Sequence, residues 1–215
     1  MKFISAIFFA TVASALVLRR PQTPVNSMIN IQDAVVLVNS QLRIAEQIGK
    51  DSYPAVLNEC LANVDQTIKN TTSYLGTMTG LSKSEENAVF PWITRLGFFG
   101  RHLCEALNER ILAIYKSDCC NSVQLHLGTI RDDFMGLGQV LSDKVSKDQR
   151  PRVEAYTREV AEILQIHMAG FAPDTCKASA MQVVTPTPVT HDSDMASHSF
   201  GAWVDGTPVP LDFFP

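Results

Sequence analysis

The residues of this 215-residue chain whose types could do chemistry are few and poorly spaced for it. Its histidines are His102, His126, His167, His191 and His198. The run His102-Leu103-Cys104-Glu105 crowds possible metal ligands together. On a helix only His102 and Glu105 share a side, and no Glu-x-x-His pair recurs elsewhere as a di-metal bundle requires. Adjacent carboxylates occur at Glu85-Glu86 and Asp132-Asp133. Helical neighbours diverge by about 100°, so both pairs read as solvated surface. There is no G-x-S-x-G elbow, H-E-x-x-H pair, glycine-rich phosphate loop or Cys-x-x-Cys. The expectation is a chain with no catalytic residue, no metal and no cofactor.

The residues suited to binding are aromatic. Phe90, Trp92, Phe98 and Phe99 gather around Pro91, with Gly97 and Gly100 beside them, and Phe134 and Met135 stand next to Gly136 and Gly138. Helix faces thinned by glycine and lined with flexible methionine can leave an apolar cavity, which makes these six large side chains candidate ligand contacts. The competing reading is ordinary core packing, with glycine making room for bulky neighbours.

Five cysteines complete the inventory: Cys60, Cys104, Cys119, Cys120 and Cys176. In an oxidising compartment all five are disulfide candidates, but the odd count leaves at least one thiol unpaired within the chain. Cys119 and Cys120, being neighbours, are expected to reach different partners rather than each other. Cys60 and Cys104 both lie on apolar stripes, so each is either bridged across two helices or buried as a small hydrophobe. Asn70-Thr71-Thr72 is a glycosylation sequon. Ile68 and Leu75 face inward around it, which turns Asn70 outward.

The elements that must position these residues are helical. In residues 1–15, Lys2, the apolar run Phe3 to Ala13 and the small residues Ala13-Ser14-Ala15 read as a secretory signal peptide, too short in its apolar run for a membrane span. Arg19-Arg20 follows, as a processing site or a charged linker. Removing Lys2, Arg19 and Arg20 from the 18 basic residues leaves 15 against 22 acidic, a balance of −7 that disfavours nucleic acid. After a polar lead-in at 21–27, a first helix is expected from an Asn30 cap, with Ile31, Val35, Val38, Leu42, Ala45 and Ile48 inward, to Gly49. A second runs 53–78. The third element, 82–116, opens with a capping box at Ser82 and Glu85 and should break at Pro91 into 83–90 and 92–116. Helices at 122–146 and 150–170 complete the set.

Short links between rods of similar length force consecutive helices antiparallel, and no stretch carries the alternation of a sheet. The predicted fold is therefore all-α: an antiparallel up-and-down bundle of about five helices over 28–172. The segment 173–215, rich in proline, threonine and serine, is expected to form a disordered, flexible tail open to O-glycosylation. Trp203, Phe213 and Phe214 within it are suited to docking on a partner or on the bundle.

The order of these features, with five amphipathic helices, a Leu81-Ser82-Lys83-Ser84-Glu85-Glu86 start to the third element and a Thr/Ser/Pro tail, resembles the fungal hydrophobic surface binding protein A and cell wall galactomannoprotein family. The resemblance covers about 28–172. It implies a secreted or wall-associated helical bundle that binds lipids such as fatty acids or apolar surfaces, with a secreted hydrolase or cell-wall polymer as a further partner. The expected function is thus non-enzymatic lipid or surface binding, with no nucleic acid and no transmembrane segment in the mature chain. The alternative is a secreted helical inhibitor or effector that binds another protein.

Overall fold

The computed structural model describes residues 22–49 and 51–177, together with the backbone of Trp203–Val204 and Thr207–Pro208. Residues 1–15, read above as a signal peptide, the Arg19-Arg20 pair, His191, His198, Phe213, Phe214 and the side chain of Trp203 lie outside the described residues. Among the described residues up to Gly170, seven helices follow one another. They are α1 (Pro24–Ile48), α2 (Tyr53–Gly76), α3 (Lys83–Ile93), α4 (Leu96–Asn108), α5 (Ile111–Lys116), α6 (Cys120–Lys144) and α7 (Arg150–Gly170). Separately, in the unit spanning 185–215, Trp203–Val204 pairs antiparallel with Thr207–Pro208, a two-residue ladder that the sequence reading of this segment does not contain.

Three helix boundaries follow from local chemistry. α1 begins seven residues before the expected start, because Thr23 accepts the amide of Asn26 at 3.1 Å and Pro24 occupies the first turn, where its missing N–H costs nothing. It stops at Gly49, whose φ of 127° lies in a region L side chains avoid. The expected capping box is formed at α3, where the Glu85 amide donates to Ser82 Oγ at 3.3 Å and the Ser82 amide donates to Glu85 Oε2 at 2.8 Å.

The third element differs from expectation. Its helix passes through Pro91 and breaks instead at 94–95 and again at 109–110. The bond that Pro91 cannot make would have ended on the carbonyl of Asn87, an exposed residue whose carbonyl water can serve. The Thr94 hydroxyl then donates to the Pro91 carbonyl at 2.8 Å and closes the turn.

The helices form a closed ring in the order α1, α2, α6, α7, α4, with α3 also against α1. Direction reverses between α1 and α2, α2 and α3, and α6 and α7, while α3 and α4 run on in one direction through the break at 94–95. Neighbours in the ring are nonetheless often parallel. Lys144 at the end of α6 donates from Nζ to the Met78 carbonyl just beyond the end of α2 at 2.6 Å, and Ser122 at the start of α6 bonds Asn58 near the start of α2. Arg101 of α4 pairs with Glu159 of α7 at 2.8 Å, and Arg110 just beyond α4 pairs with Glu46 of α1 at 3.1 Å. α3 and α4 thus lie between α1 and α7, away from α2 and α6, their partners in sequence.

Most predicted inward residues are buried, including Val35, Leu42, Leu61, Ile68, Leu103, Leu127, Phe134, Leu141, Val160 and Leu164. Val56, Met78, Trp92, Ile111, Tyr156, Ile163 and His167 are half-buried, and Ile48 is exposed. Ile48 sits in the last turn of α1, beyond the helices that cover the stripe.

Candidate functional site

Around Pro91, the second half of α3 and the first turn of α7 enclose a cleft of about 400 Å³. Phe90 and Pro91 form one wall. Opposite, the Arg152 guanidinium lies 4.3 Å from the centre of the Phe90 ring and donates to Gln149 Oε1 at 3.2 Å. Thr94 and Asn87 complete the rim. The base is fixed by Glu86, whose buried carboxylate accepts the Ser146 amide at 3.0 Å and the Ser146 hydroxyl at 2.6 Å, tying α3 to the α6–α7 link. A guanidinium beside an aromatic face suits an anionic group with an apolar extension. The lining offers no serine, cysteine or histidine to act as nucleophile or base.

Of the six aromatic and methionine candidates, the structure brings Phe90 to this cleft. Trp92 packs half-buried against the core, with Arg95 5.3 Å from its ring. Phe99 is buried in the core, whereas Phe98, 49% exposed, points outward and stacks on His102 at 5.2 Å. Phe134 is fully buried on α6 and Met135, 47% exposed, faces solvent. The two groups are therefore not juxtaposed: α7 stands between α4 and α6.

The glycines explain this separation. A Cβ at Gly97 would run into the Glu159 carboxylate, one at Gly100 would come within 2.8 Å of Val160 Cγ2, and one at Gly138 would strike the Thr157 side chain. Gly128 leaves similar room for Met168, at 3.2 Å. Helix α7 is thus seated in glycine grooves on both α4 and α6, the close-packing alternative of the sequence reading. Gly136 faces open space.

The cysteines correct the expectation that all five are bridging candidates. Cys120 and Cys176 form a disulfide with Cα atoms 6.4 Å apart. Cys176 is fully buried in a helical turn at 173–177, which carries the packed region past residue 172. Cys60, Cys104 and Cys119 are free and buried. Cys60 on α2 and Cys104 on α4 cannot bridge because the ring puts α1 between their helices. The Cys60 thiol instead donates to Gln41 Oε1 at 2.9 Å, and that of Cys119 to the Ser117 carbonyl at 3.2 Å. Burial pushes the thiols of Cys60 and Cys104 up to about 12.

His102 and Glu105 meet at 3.6 Å on an exposed face. Among the described residues no group of three or more His, Cys, Asp and Glu side chains is placed to hold a metal ion, and no helix is long and apolar enough to cross a membrane. Asn70 is exposed and accepts from Gln66 Nε2 at 2.9 Å.

Asp133 departs from the solvated surface expected of it. While Asp132 is held by Arg131 at 2.7 Å in solvent, Asp133 turns toward Asp65 of α2. Nothing in the spacing of either residue signals this pairing, which depends on α2 and α6 lying parallel.

The fold is an all-α bundle with five helices in its ring. The chain shares it with ligand binding domain 1 of the Penicillium marneffei MP1 protein complexed with arachidonic acids, at TM-score 0.58 and 18% identity over 68% of this chain and 94% of that one. It also shares it with Afmp4p in complex with palmitic acid, at TM-score 0.63 and 12% identity over 69% and 97%. Domain 2 of the MP1 protein, complexed with multiple arachidonic acids, matches at TM-score 0.56 and 14% identity over 72% and 98%. No protein-family model and no curated protein matches the chain.

Proposed function

We propose that this protein is a secreted, wall-associated bundle that binds fatty acids or lipids of similar shape and performs no catalysis. The observation that carries the reading is the likeness, over nearly the whole length of those domains, to bundles whose structures hold arachidonic and palmitic acids. The interior supports it. Its buried side chains are overwhelmingly hydrocarbon, and an acyl chain of about fifteen methylenes gains roughly 12 kcal/mol gross at about 0.8 kcal/mol each, enough to offset the parting of two helices. In this reading the carboxylate end rests on Arg152 and the chain passes Phe90 and Trp92 toward Phe99. The signal peptide brings the protein out of the cell, and Asn70 carries a glycan.

Mass spectrometry of protein purified from culture medium, followed by titration of the delipidated protein with palmitate, tests the reading. Co-purifying acyl lipid and saturable binding that weakens about tenfold in Arg152→Ala are expected. Absence of both lipid and saturable binding overturns the proposal, while unchanged affinity in Arg152→Ala overturns the assignment of the carboxylate.

A further inference from the structure

Asp65 on α2 and Asp133 on α6 face each other across a seam where two helices run side by side in the same direction. Their side chains are only 19% and 17% exposed. Asp65 Oδ1 and Asp133 Oδ2 are both shielded from water, with no donor aligned on either. One cation serves both: Lys69 Nζ lies 2.7 Å from Asp65 Oδ1 and 3.7 Å from Asp133 Oδ2. Two shielded acceptors that face one another become partners only when one carries a proton, because a carboxylate has no hydrogen to give.

We infer that Asp133 and Asp65 share a proton that latches α2 to α6, and that loss of this proton as the pH rises loosens the seam. The latch is a conformational device of the bundle and does not depend on what the protein binds.

The surroundings set the direction. Burial raises the Asp133 carboxyl from 3.8 to about 7, with the hydrogen bond and negative charge of Asp65 adding to it and Lys69 opposing. Burial also pushes Asp65 upward, but the hydrogen bonds of Asp133 and Lys69 outweigh it and hold that carboxyl below its ordinary value. Asp132 adds negative charge beside Asp133, and His126 on α6 faces Asp65, its own titration pushed down by burial. Arg131 is occupied by Asp132. The folded chain therefore holds a proton that the unfolded chain releases near pH 4. Stability from the Asp133 proton is fully present below that pH and is lost as the pH climbs through about 7, whereas the contribution of the lowered Asp65 carboxyl is present above its ordinary value and is lost as the pH falls.

The test is carbon-detected NMR titration of the aspartate carboxyls in the full secreted chain, with hydrogen exchange at pH 5.5 and 8.5 corrected for intrinsic rates. One carboxyl of the pair is expected to titrate near neutrality. Protection of α2 and α6 amides on the seam should fall about tenfold or more between the two pH values, while amides between α4 and α7 change little. Asp133→Asn, which donates at every pH, should remove the dependence; Asp132→Asn, with the same change of charge, should keep it. Titration of both Asp65 and Asp133 below pH 5 overturns the inference. So does a wild-type profile reproduced by Asp133→Asn. Should that variant fail to fold, the wild-type titration decides alone.

Discussion

Two glycines two residues apart on α6 give opposite predictions. At Gly138 a Cβ would collide with the side chain of Thr157 on α7. Thr157 cannot swing aside freely, since it is buried and its hydroxyl donates to the Val153 carbonyl at 2.8 Å. In Gly138→Ala the gain in helix propensity is about 1 kcal/mol, whereas overpacking costs about 1–3 kcal/mol and displacing the Thr157 hydroxyl about 1 kcal/mol more. The expected net loss is about 1–3 kcal/mol. At Gly136 nothing lies within 4 Å of the added Cβ. Gly136→Ala should therefore stabilise by about 0.5–1 kcal/mol. The variants should differ by about 1.5–4 kcal/mol, or roughly 1–2 M in urea midpoint for a slope of about 2 kcal/mol per molar. Adding Thr157→Ala to Gly138→Ala should recover part of the loss, a coupling that a double-mutant cycle measures directly. If Gly138→Ala proves as stable as Gly136→Ala, α7 is not seated in a glycine groove and the account of why α4 and α6 are kept apart fails.

The Cys120–Cys176 bridge spans a sequence separation of 56, so Cys176→Ser should lower stability by about 2–4 kcal/mol, read as a fall in urea midpoint. Cys60, Cys104 and Cys119 are buried, and a thiol reagent at pH 8 should count no reactive sulfhydryl in the native protein and three after denaturation; prompt labelling of the folded chain would contradict that burial. Glu86→Ala strands the amide and hydroxyl of Ser146 and should cost about 2 kcal/mol, with faster hydrogen exchange in the α6–α7 link as its signature. Ser82→Ala removes one half of the capping box and should cost about 1 kcal/mol, seen as fraying of the first turn of α3.

The parts of this fold legible in the sequence are those governed by neighbours within a turn or two. The stripe of α6 from Val123 to Val145 is buried along its whole length, and α7 spans the expected 150–170, because periodicity and the need to hide hydrocarbon act residue by residue. The Ser82–Glu85 box is likewise a contact three residues long. Errors arose where a local rule had a competitor. Asn30 is a good cap, but Thr23 with Pro24 is a complete one, and the longer helix buries Ser27 and Met28 as well. Pro91 breaks a helix when the abandoned carbonyl is buried, and here that carbonyl belongs to exposed Asn87.

By itself the sequence determined that this chain is a set of amphipathic rods with a hydrocarbon interior. Which rods touch was decided only in three dimensions. Apolar stripes are interchangeable oily faces that carry no address, so the ring order of α1, α2, α6, α7 and α4 depends on the glycine grooves that admit α7 and on the disulfide at Cys176. Everything that needs two distant residues to meet waited on that order: the free thiols, the cleft between Phe90 and Arg152, and the paired carboxyls of Asp65 and Asp133.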